Sequence, residues 1–144
     1  MARADEAEAS RRRIAVLVGG LLLGGWCQSA LAQQDPSGAA ITPAMIALGD
    51  SVFHGRAGGG ACFVCHGQDG KGTPGLAPNL TAGAWLHGDG SYEFLVQLIQ
   101  QGVAEPKEGP APMPPMGGAQ LSPEQVRAVA AYVYSISRKK PKGF

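Results

Sequence analysis

Cys62, Cys65 and His66 stand in the run Cys-Phe-Val-Cys-His, two thiols three residues apart with an imidazole directly after the second. Each thiol of such a run can add to a vinyl group of a porphyrin to give a thioether, and the histidine then lies beneath the iron as its proximal ligand. The spacing therefore reads as an attachment site for a c-type haem. Other uses of the same residues fit less well. A tetrahedral zinc site needs four ligands, and the sequence has no second Cys-x-x-Cys and no paired histidines. A thioredoxin-like pair would sit in a βαβ pattern, but Gly58-Gly59-Gly60 precede the run and Gly67-Gln68-Asp69-Gly70 follow it. A plain disulfide would leave His66 without a role, and the third cysteine, Cys27, falls in the N-terminal leader.

An iron with one histidine needs either a second protein ligand, which makes an electron-transfer centre, or an open face for a gas or substrate. Few side chains qualify. Met45 falls on a helix that reads as core, where methionine is usually packing. His54 and His87 read as surface or locally hydrogen-bonded residues. Met113 and Met116 remain, in Met113-Pro114-Pro115-Met116-Gly117-Gly118.

Three helices are predicted to position these groups. Thr42 as N-cap and Pro43 at the first helical position start one over Pro43 to His54, with Met45, Leu48, Val52 and Phe53 along one side. Gly49 inside it is costly for a helix unless another backbone must come close. Ser91 caps a second, Tyr92 to Gln101, whose apolar stripe is Phe94, Leu95, Leu98 and Ile99. Ser122-Pro123-Glu124-Gln125 is a capping box for a third, running to about Arg138 with Val126, Val129, Ala130, Val133 and Ile136 inside. Between Gly67 and Gly90 the chain is expected to be loop, with at most a short helical turn at Ala82 to Leu86. The segment from Glu105 to Gly118 carries five prolines and is expected to form neither helix nor central strand.

With 144 residues the chain has room for one domain. Arg11-Arg12-Arg13, the thirteen apolar residues Ile14 to Trp26, and Ala30-Leu31-Ala32 read as a secretory leader over residues 1–32, cut after Ala32. That run is short for a membrane span, so only an uncleaved leader would hold the protein to a membrane. Residues 33–41 read as a tether, 42–140 as the domain and 141–144 as a tail, in the periplasm. From Gln33 onward eight basic and eight acidic residues balance, which excludes nucleic acid as an expected partner. The short basic tail at Arg138, Lys139, Lys140 and Lys142 suits the negative end of a helix.

From Leu48 to Ser137 the order Gly49-x-x-x-Phe53, Cys62-x-x-Cys65-His66, Pro78-Asn79-Leu80, Met113-Pro-Pro-x-Gly-Gly and a last amphipathic helix with Tyr132 resembles the class I c-type cytochromes. The likeness is to small monohaem members of bacterial periplasmic type and to c-type domains of some terminal oxidases. It implies an all-α fold, three main helices plus loops around one covalently bound haem c. It also implies that Met113 gives its sulfur to the iron, with Met116 as runner-up, that the Pro78 carbonyl accepts the His66 ring proton, and that Gly49 and Phe53 meet Val129 and Tyr132. The implied function is single-electron transfer between periplasmic or membrane redox partners, docking through the haem edge near Ala61 and Phe63, and not an enzyme activity. The alternatives are a subunit or docking domain of an oxidase or dehydrogenase complex, or a five-coordinate haem sensor or enzyme.

Overall fold

The three longer helices each begin where a hydroxyl side chain can accept a hydrogen bond from an amide that the helix itself leaves unpaired. In the computed structural model, which describes residues 40–109 and 111–138, Thr42 Oγ1 accepts from Met45 N at 3.1 Å and opens α1, Pro43–Phe53. Ser91 Oγ accepts from Phe94 N at 3.3 Å and opens α3, Tyr92–Gln101. Ser122 opens α4, Pro123–Ser137, with the reciprocal box complete: its Oγ accepts from Gln125 N at 3.2 Å while Gln125 Oε1 accepts from Ser122 N at 2.9 Å. The haem-attachment run forms a short helix of its own, α2, Cys62–His66. The described residues contain helices and two isolated bridges but no strand, so the fold is all-α. Leader, tether up to residue 39, and tail beyond Arg138 lie outside the described residues.

The core is built on α4. Val126, Ala128, Val129, Ala130, Ala131, Val133 and Ile136 are all buried there, and α1 and α3 both pack on that helix. Gly49 is what lets α1 come close: a Cβ in its place would sit 1.9 Å from the Ala128 carbonyl oxygen and 2.8 Å from Tyr132 Cβ. Four residues on, Phe53 meets the Tyr132 ring at 5.2 Å between centroids, so the expected crossing of first and last helices is present. Its closest partners are Ala128 and Tyr132, while Val129 lies in the shared core.

Between Gly67 and Gly90 the chain is loop, as expected, and the short helical turn allowed at Ala82 to Leu86 does not form. Asn79 Oδ1 instead accepts from Thr81 N at 2.7 Å and Thr81 Oγ1 at 2.8 Å, a side-chain turn that competes with helix nucleation. The Pro-rich segment is more ordered than its composition suggests. Pro115–Gly118 makes a 3₁₀ turn, and Met113 pairs with Val103 in a two-bond bridge.

Candidate functional site

The Cys-x-x-Cys-His run is short and helical because Gly67 N donates to Phe63 O at 2.8 Å and Gly67, at φ 77°, then turns the chain away. His66 ends the helix buried, at 9 % exposure. Its carbonyl accepts from Gly72 N at 2.8 Å. A tight loop follows, closed by Thr73 N to Ala77 O at 3.1 Å, Ala77 N to Thr73 O at 3.0 Å and Leu80 N to Gly70 O at 2.8 Å. That loop carries the Pro78 carbonyl to 3.1 Å from His66 Nδ1. With Nδ1–H donated there, the lone pair of the neutral ring is on Nε2. Burial pushes the His66 ring below its ordinary pKa, against a smaller opposite effect of the Pro78 hydrogen bond, so the neutral, ligating form is favoured.

Met113 is fixed from the other side of the chain. Its N–H donates to Val103 O at 2.9 Å and its carbonyl accepts from Val103 N at 2.8 Å. The bridge closes because Gly102, the residue that ends α3 at φ 73°, has no Cβ: one would stand 2.4 Å from Met113 O. Met116 is held differently, with φ 54° and ψ 25°, a left-handed backbone uncommon for a residue with a side chain.

These groups converge. Cys62, Cys65, His66, Pro78, Met113 and Met116 all line one cavity of about 380 Å³. Its remaining walls include Phe53 from α1, Leu95, Leu98 and Ile99 from α3, and Val129 and Val133 from α4. Left in contact with water, such walls would forgo the burial that stabilises apolar side chains. The walls therefore suit a large flat apolar group. Two thiols, one neutral imidazole and two thioethers suit an iron porphyrin in particular. Burial, more than the neighbouring Cys65, raises the Cys62 thiol above its ordinary value, which disfavours the thiolate that a zinc site or redox pair would use. Among the described residues no cluster of three His, Cys, Asp or Glu could hold a metal ion. A separate recess of about 220 Å³, lined in part by Lys71, Pro78 and Glu108, carries no thiol, imidazole or thioether.

Sequence reasoning missed Trp85 and set His87 aside as surface or locally bonded, yet both line the cavity. The signal was there for Trp85, a large apolar residue in a glycine-rich loop with no helix face to bury it. His54 was expected to be surface or locally bonded; it does bond locally, to Asp50, but also reaches across to the Gln68 carbonyl. Phe63, expected on a contact surface, instead packs against the core. Val64 is 61 % exposed, beside exposed Cys65.

Residues 45–133 match the family described as cytochrome c oxidase, cbb3-type, subunit III. Among individual relatives, the CcoP subunit of the cbb3-type cytochrome c oxidase of Rubrivivax gelatinosus is 38 % identical over 95 residues, 66 % of this chain and 27 % of that subunit. CcoP of Rhodobacter capsulatus is 42 % identical over 82 residues, 52 % of this chain and 25 % of the relative. The FixP subunit from Bradyrhizobium diazoefficiens is 39 % identical over 80 residues, 55 % and 25 % of the two. The chain thus spans about a quarter of the length of these curated relatives. No solved structure matches it.

Proposed function

Because this chain belongs to the cbb3-type cytochrome c oxidase subunit III family, we propose that its class I cytochrome domain is a single-electron relay serving a membrane oxidase. The observation that carries this reading is the convergence of Cys62, Cys65, His66 and Met113 on one apolar cavity. Cys62 and Cys65 would hold the haem as thioethers, and His66 Nε2 and the Met113 sulfur would be its ligands. When bound, the haem would supply reversible one-electron exchange. Pro78 keeps the His66 tautomer and ring plane fixed. The bridge to Val103 keeps Met113 from swinging out. Side chains from α1, α3 and α4 keep water from the buried faces, and thioether ligation then favours the reduced state over the oxidised one. Exposed Val64 and Cys65 mark the edge where partners would approach.

The partners are a redox donor and an acceptor, the latter an oxidase of the kind named for the relatives. The chain would be a relay subunit without catalysis of its own, carrying one haem. No helix among the described residues is long and apolar enough to cross a membrane. Export by a leader over residues 1–32, with the domain at 42–140 in the periplasm, completes the reading.

Expression with haem-maturation machinery tests it. The denatured protein is expected to keep the mass of one haem, and the native one to give a sharp low-spin spectrum when reduced and the weak far-red band of methionine-bound iron when oxidised. A haem-free mass, or a high-spin spectrum that shifts with carbon monoxide, would overturn it.

A further inference from the structure

We infer that His54 is a positioning residue for the haem-attachment turn and that it acts as an imidazolium, so that a proton held on α1 helps to set the posture of α2. The inference rests on the haem reading of the cavity given above.

His54 caps α1 with its side chain only 12 % exposed. Nδ1 lies 2.9 Å from the Asp50 carbonyl oxygen and 3.0 Å from Asp50 Oδ1. Nε2 lies 2.8 Å from the Gln68 carbonyl oxygen. Every one of these partners accepts and none can donate. A neutral imidazole has one N–H, so it would satisfy one end and set a lone pair against an oxygen at the other; the doubly protonated ring satisfies both. Asp50 supplies the counter-charge, and it also bonds Arg56.

The two ends are not equal. Nδ1 faces a carboxylate as well as a carbonyl, so it keeps the last proton, and loss of the other frees Nε2 from Gln68. Gln68 is two residues past His66, within the loop closed by Gly70 N to Gly67 O and Gly72 N to His66 O. The ring also stacks on Phe63 inside the Cys-x-x-Cys run, at 6.2 Å and 23°, and meets Phe53 and Tyr132 edge-on. His54 thereby joins α1, α2 and α4. The charged or titratable groups around it are Asp50 and Arg56 from its own helix end, Tyr132 from α4, and Asp69 beside Gln68, which is paired with Lys71 at 2.7 Å. Burial, and then Asp50, hold the Tyr132 hydroxyl above its ordinary value, so Tyr132 adds no charge near neutral pH.

The test is the midpoint potential of the haem-loaded protein against pH, in the wild type, His54→Gln and Asp50→Asn, with the ring nitrogen resonances of His54 read by NMR. The wild-type potential is expected to fall as rising pH removes a proton from the ring, with both ring nitrogens protonated on the acid side. His54→Gln removes that fall, and Asp50→Asn, which keeps the ring, moves it to lower pH. A role of shape alone would shift the potential equally at every pH and so would overturn the proposal, as would a singly protonated ring throughout. If His54→Gln does not fold, Asp50→Asn and the resonances decide. Absence of bound haem would overturn the function proposed above, and the ring resonances would still decide the charge of His54.

Discussion

Met113 and Met116 present two thioethers to one cavity, and what separates them is their backbone. Met113 has both main-chain groups bonded to Val103, so its sulfur can bear on an iron without the loop giving way. Met116 stands in a left-handed conformation within the Pro115–Gly118 turn, without such a bridge among the described residues. Met113→Ala is accordingly expected to turn the reduced spectrum high-spin and carbon monoxide-reactive, and Met116→Ala to keep it low-spin; the reverse pattern would exchange their roles. The residue types alone left both methionines open and the family resemblance pointed to Met113; the bridge to Val103, ten positions away, is a feature of Met113 that composition does not encode. Tyr132 yields a pH prediction. Its hydroxyl is held above the ordinary value by burial first and then by Asp50. The folded state therefore keeps the proton longer than the unfolded chain does. The stability this contributes is fully present below the unfolded value, about pH 10, and is lost as pH rises through the folded one. Tyr132→Phe is expected to flatten that alkaline loss, as read by urea unfolding at successive pH values.

At the scale of the element, helix starts were the most legible feature. Thr42, Ser91 and Ser122 each cap the helix predicted from them, because capping chemistry is local and needs no tertiary context. Ser122→Ala, which breaks the reciprocal box, is expected to lower stability by about 1 kcal/mol in a denaturant titration. The α1 and α4 crossing depends on Gly49, the residue that helix propensity alone would have rejected. Gly49→Ala removes a propensity cost of about 1 kcal/mol yet drives a Cβ onto the Ala128 carbonyl, so the net effect expected is a loss of about 3 kcal/mol or more. A neutral or stabilising result would show that the helices slide apart freely. Loops were where the sequence was least informative. The Asn79 turn, the Val103 and Met113 bridge and the 3₁₀ turn are each closed by contacts that composition does not encode, and prolines that forbid a helix do not say what replaces it.

The described residues are organised around a space. Buried side chains from α1, α3 and α4 form a core on one side of it, and the same three helices then line it. A cavity of about 380 Å³ with such walls implies that the bound group is part of the core. Protein made without haem maturation is therefore expected to unfold at much lower denaturant than the loaded form, with loss of near-ultraviolet dichroism before helix content; equal midpoints would contradict that. An expected haem site was legible from five contiguous residues, because covalent attachment would tie thiols and ligand to one turn of chain. Its outline was not, since Trp85 and His87 reach the cavity from a loop whose path is set by glycines and side-chain turns. The most direct measurement is an optically monitored redox titration of the mature protein. The account predicts one one-electron wave at positive potential, low-spin in both states and bearing the methionine–iron band when oxidised. A multi-electron wave, or a high-spin reduced state that binds carbon monoxide, would contradict it.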